Sequence, residues 1–151
     1  MNLAVIGRLS LIEQLYGSVN VPEAVAHELF AALPEQFSAQ AIKKLTWLTV
    51  QSVKNRQLTE SLLLDLDAGE AEAIALSTEM KAGLLLLDER RGRSIAQRFG
   101  LKFNGVIGML IDAKQSGHVP VVKPILDDLI AKAGFWVDNR LYARVLQEAG
   151  E

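Results

Sequence analysis

The order of segments predicts an α/β fold in which a short parallel sheet is sandwiched by helices. Three features carry that expectation. Residues 84–87 are four consecutive leucines, the length and continuity of a strand covered on both faces. The segment before them has helical spacing, with Ala71, Ile74, Ala75 and Leu76 forming a small-residue apolar face suited to close packing. Along the rest of the chain, helical patterns alternate with strand patterns shorter than they are, the signature of βα units.

Residues 3–15 place Leu3, Ile6, Leu9, Leu11, Ile12 and Leu15 at helical spacing and predict a helix ended by Gly17. Residues 18–21 form a short strand. Pro22 then suits a helix first turn, and the helix PEAVAHELFAAL runs to Leu33-Pro34. Residues 38–44 predict another helical turn or two. Residues 45–53 alternate in part and predict a strand towards an edge. Residues 58–66 are helical. Asp67 followed three residues later by Glu70 marks the start of the next helix, with a cap and an acid in its first turn, and Gly83 stops it. After the leucine strand come a helix over 91–99 ended by Gly100, a strand over 101–103, and a helix over 105–115 capped by Asn104 and stopped near Gly117. Two amphipathic helices follow, over 121–132 and 139–148, the second capped by Asp138. No repeat, low-complexity run or linker interrupts the 151 residues, which predict a single domain.

Half of the residues are hydrophobic and 23% are charged, enough for a sizeable core and unlike a disordered chain. The absence of cysteine excludes a disulfide scaffold and a thiolate zinc site, and fits a reducing compartment. The opening MNLAVIGRL has neither the basic start nor the apolar length of a secretory signal. No apolar run approaches the roughly 20 residues that cross a bilayer. With a net charge of −2 no global field attracts nucleic acid, so binding RNA or DNA requires a local basic patch or a metal ion.

Asp88 closes the leucine strand, and Glu89, Arg90, Arg91 and Arg93 follow. An acid at the carboxyl end of a buried strand lies where open parallel sheets place ligands. It also needs a partner, which one of the three arginines could supply. Those arginines are the best local basic patch, since guanidinium forks suit phosphate oxygens, though a charged helix start also simply solvates. Lys43, Lys44, Lys54 and Arg56 are candidates for a second basic patch, with surface charge the ordinary account. His27 and His118 stand alone, without a metal-ligand spacing. Trp47 and the Phe135-Trp136 pair read as core or interface. Ser77 and Thr78 have no base at triad-like spacing, so nucleophilic catalysis finds no support.

The runs VPEAVAHEL, LDAGEAEAIALS and AGLLLLDERRGRSIAQRFGLKFNGVIGMLIDAKQSGHV resemble a PIN domain, and more narrowly the prokaryotic PIN-like branch near the VapC-type toxins. The resemblance covers Leu3 to Gly150. It implies a three-layer α/β/α sandwich with a short parallel sheet and a Mg²⁺- or Mn²⁺-dependent endoribonuclease. It also implies that Glu28, Glu70 and Asp88 are the catalytic and metal-binding acids, and that Arg90, Arg91 and Arg93 contact nucleic acid. Hard divalent ions take carboxylate oxygens, and acids that converge stay ionised together only when a cation joins them. The ordinary account of Glu28 is a solvated helix acid, and that of Glu70 an acid favoured by the helix dipole. Glu72, about 200° further round the helix, is a reserve candidate that should face elsewhere.

In the family the chain opens with a central strand ending in an aspartate. Here the sequence begins inside the helix that follows, so that strand and its acid are expected to be missing. Either the start is set too far downstream or the protein is a shortened variant. Three functions follow: the metal-dependent ribonuclease, as the toxin of a toxin–antitoxin pair with a small antitoxin partner; a catalytically degenerate PIN-like binding or interaction module; and, last, a phospho-receiver-like switch, which would need an acidic pair at a first strand. RNA is the expected macromolecular partner, the cytoplasm the expected location, and a homodimer the expected assembly, because an apolar chain short of a strand should expose a patch to be covered.

Overall fold

The computed structural model describes residues 2–32 and 45–151, so the helical turns expected over 38–44, Lys43 and Lys44 fall outside the described residues. The chain is mixed α/β, mostly helical, with short parallel strands. It divides into two compact units. One joins the N-terminal residues through Gly17 to Val106–Glu151, and the other is Ser18–Gly105.

The Ser18–Gly105 unit carries every candidate acid. β1 (Val19–Pro22) runs parallel to β2 (Leu48–Gln51), with Val19 beside Leu48 and Pro22 beside Gln51. Between them lies α1 (Glu23–Ala32), which starts directly after Pro22. α2 (Arg56–Leu62) is capped by Asn55, whose side chain accepts the Leu58 N–H at 3.1 Å. α3 (Ala68–Met80) follows, with Asp67 as its cap, accepting the Glu70 N–H at 2.8 Å as the sequence predicts. β3 (Leu85–Leu86) and β4 (Phe103–Asn104) form a second parallel pair, joined by α4 (Arg90–Arg98). α3 is the spine: it packs on α1, α2, α4, β1 and β3. Its small face allows this, for Ala71, Ile74 and Ala75 are fully buried among Leu62, Leu66, Leu85, Leu87 and Ala96.

The other unit is helical: α5 (Asn2–Val5), α6 (Ser10–Tyr16), α7 (Val106–Gln115), α8 (Lys123–Ala133) and α9 (Asn139–Ala149). Leu110, Leu126, Leu129, Val122 and Val145 fill its core. Asp138 caps α9 by accepting the Leu141 N–H at 2.7 Å. Among the described residues no helix is long and apolar enough to cross a membrane.

Several expectations are corrected. The helix expected over 3–15 is two helices, because Gly7 adopts φ +67° and closes the first by donating to the Ala4 carbonyl at 3.1 Å. α3 ends at Lys81, itself left-handed with φ 51°, before Gly83 is reached. The strand expected over 45–53 shrinks to four residues, and the helix expected over 58–66 starts two residues early at its Asn55 cap. The leucine run is covered unevenly: Leu85 and Leu87 are buried, Leu86 is half-buried and Leu84 is 40% exposed. The strands pair as two separate two-stranded ladders rather than one sheet among the described residues. Trp47 is core, as expected, but Trp136 is 80% exposed.

Candidate metal centre

Each of the three acids lies where a glycine leaves room for it. Glu28 is on the exposed side of α1, and α1 packs against α3. A β-carbon at Gly69, the second residue of α3, would sit 2.9 Å from Glu28 Oε1. Glu70, one residue on, reaches α4: a β-carbon at Gly92 would sit 2.6 Å from Glu70 Oε1. A β-carbon at Gly105 would sit 2.7 Å from Asp88 Oδ1 and would collide with the Arg93 guanidinium. Glu28 is close enough to Glu70 for their charges to interact, whereas Asp88 is not among the charges that act on Glu70. Glu28 lies on Gly69, the neighbour of Glu70; Glu70 lies on Gly92, the neighbour of Arg93; and Arg93 meets Asp88 at 3.7 Å. Glu28 and Glu70 each approach the first turn of a helix, where exposed N–H groups and the helix dipole favour negative charge.

Glu70 is the unusual member. Its Oε1 is buried with no hydrogen-bond partner. Burial, then the charges of Asp67, Glu89 and Glu28, pushes its pKa up to about 7. An acid three residues after an Asp cap commonly turns back towards the cap N–H; the buried Glu70 oxygen makes no such bond. A cation would supply what this oxygen lacks, and the nearby Glu28 is a second oxygen ligand of the kind a divalent ion takes. Among the described residues, however, no three acids are already gathered as a metal-holding group.

The remaining candidates are accounted for. Glu72 lies round the helix from Glu70, on the side of α3 that meets α1, and accepts the Ala24 N–H at 2.9 Å at the start of α1, the helix that carries Glu28. Arg91 pairs with Asp65. Arg93 turns inward, its Nε donating to the Leu87 carbonyl at 2.8 Å and its guanidinium lying over the Phe103 ring. Arg90 is exposed. The sequence reading missed the glycines. Gly69 and Gly92 stand inside helices, where glycine costs stability against alanine, and that cost was the available signal.

A family model described as a PIN domain matches residues 1–151, and the chain belongs to the PIN-domain family. That is a family of nuclease-type, nucleic-acid-binding domains that generally use divalent metals. No curated protein and no solved structure matches the chain.

Proposed function

We propose that this PIN-domain protein is a Mg²⁺- or Mn²⁺-dependent endoribonuclease whose metal is held by Glu28, Glu70 and Asp88. The observation that carries the reading is the buried Glu70 oxygen without a partner, close enough to Asp67, Glu89 and Glu28 for their charges to raise its pKa. When bound, a divalent ion supplies a nucleophilic water and offsets charge on the phosphate. The chain's own groups do the rest. Glu28 and Glu70 bring negative charge to the first turns of α3 and α4, Asp88 pairs with Arg93, and the exposed Arg90 is the arginine we assign to a phosphate. The finer parts of the reading are a toxin role opposite a small antitoxin protein, RNA as substrate, a cytoplasmic location and a homodimer. Exposed Leu63 and Leu64, the latter 85% exposed, support the homodimer.

A second reading, a PIN-like binding module without catalysis, is favoured by one observation: no three acids stand preassembled among the described residues. Incubation with a labelled single-stranded RNA separates the two. The nuclease cleaves in Mn²⁺, stops in EDTA, and loses at least about 100-fold in rate as Asp88→Asn. Retarded but intact RNA under all conditions identifies the binding module.

A further inference from the structure

Trp136 stands 80% exposed in the connection between α8 and α9, although tryptophan is a residue that folding mostly covers. The exposure is not that of a loose end. Gly134 ends α8 with φ +65°, the Phe135 N–H donates to the Leu129 carbonyl at 3.0 Å, and Asp138 caps α9. Phe135 and Val137, on either side of the indole, are half-buried. With its neighbours partly covered and both ends of the connection tied, the fold itself holds the indole out in solvent.

Two arginines follow at helical spacing. Arg140 and Arg144 are exposed on one face of α9. Both are placed against local preference: like charges one turn apart repel, and Arg140, in a first turn without an acid, opposes the helix dipole. Among the described residues neither guanidinium forms an ion pair or a hydrogen bond. Asp138 is turned to the Leu141 N–H, and Glu148, one turn past Arg144, does not pair with it. By contrast, Lys123 and Lys132 of α8 are neutralised by Asp127 and Asp128. An uncovered aromatic face followed by unpaired guanidinium forks suits a single strand of nucleic acid, whose bases stack and whose phosphates accept. A duplex keeps its bases inside and offers the indole no face. We infer that Trp136, Arg140 and Arg144 form a contact site for single-stranded nucleic acid on the helical unit. The inference rests on the nucleic-acid part of the reading above and on none of its metal chemistry.

Tryptophan emission reads this site directly, because Trp47 is only 7% exposed. In EDTA, an oligouridylate RNA of about 12 nucleotides is expected to quench the exposed indole, and annealing its complementary strand to remove the quenching. By anisotropy of the same RNA carrying a dye, Trp136→Ala weakens binding about ten-fold, and Trp136→Phe, which keeps a ring, stays within about three-fold of the wild type. Arg140→Gln and Arg144→Gln together weaken binding and flatten the slope of log affinity against log salt by about 1.4, the share of two phosphate contacts on a single strand. Wild-type affinity in Trp136→Ala, or equal quenching by the duplex, overturns the site; RNA cleavage retained by that variant in Mn²⁺ leaves the nuclease reading standing without it. Self-association lost in Trp136→Ala while RNA affinity stays unchanged, as read by sedimentation, makes the patch an interface between copies and also overturns the site. No RNA binding by the wild type overturns both the site and the nucleic-acid reading.

Discussion

Glu70 concentrates the energetic conflict of this protein in one carboxylate. Its pKa near 7 means that the folded state holds the proton more tightly than the unfolded chain, whose value is near 4.5. Folding therefore carries no penalty from this group below about pH 4.5, a growing one as pH rises towards 7, and the full one above it. In EDTA, Glu70→Gln is expected to raise the melting temperature at pH 8 and to leave it unchanged at pH 4.5, as followed by circular dichroism. A loss of stability at pH 8 would mean that the carboxylate is satisfied. Metal uptake through Glu70 has to displace its proton, so Mn²⁺ affinity should fall as pH drops below 7. Some of this was legible in the residues. A carboxylate ending a leucine strand needed a partner, and an arginine just after it is that partner. Which of the three arginines turns inward was not legible, because that depends on the phase of α4 relative to the Leu87 carbonyl. Nor was the seat of Glu28, since a helix acid facing water and one facing Gly69 look the same in one dimension.

Two helix starts, those of α3 and α4, are built around glycines that a helix would ordinarily prefer to be alanine. Gly→Ala inside a helix commonly gains about 0.5–1 kcal/mol. At Gly69 and Gly92 the new methyl group meets Glu28 or Glu70 oxygen at 2.9 and 2.6 Å, which yields by moving aside, and at Gly92 the buried Leu87 side chain at 3.1 Å has to give by a few tenths of an ångström as well. Gly69→Ala and Gly92→Ala are therefore expected to keep the fold, with melting temperatures at or slightly above the wild type, while Mn²⁺ affinity drops about ten-fold. Wild-type affinity in both would show that the carboxylate positions are unimportant. Element starts marked by a side-chain cap were readable from sequence, as at Asp67 and Asp138. Ends were less so, since Lys81 takes a left-handed turn that composition assigns to Gly83, and Gly7 splits a helix whose apolar spacing runs straight through it.

At the scale of the molecule, the class of fold was legible because alternation of helix and short strand survives small errors at each boundary. The sheet was less so. Strands of two to four residues form few ladder bonds, and here they pair two by two, with α3 packed on a strand of each pair. That single helix carries two of the acids' contacts: Asp67 caps it, Gly69 receives Glu28, and Glu70 reaches across to α4. Glu28 and Glu70 lie close enough for their charges to interact, Asp88 sits by Gly105 and Arg93, and whether the three close on a common ion decides the function. The most direct measurement is Mn²⁺ stoichiometry and affinity at pH 8 for the wild type and for Glu28→Gln, Glu70→Gln and Asp88→Asn. One ion per chain, weakened at least about ten-fold by each of the three substitutions, is the predicted result; no binding by the wild type, or full affinity in any one of the three variants, would contradict it.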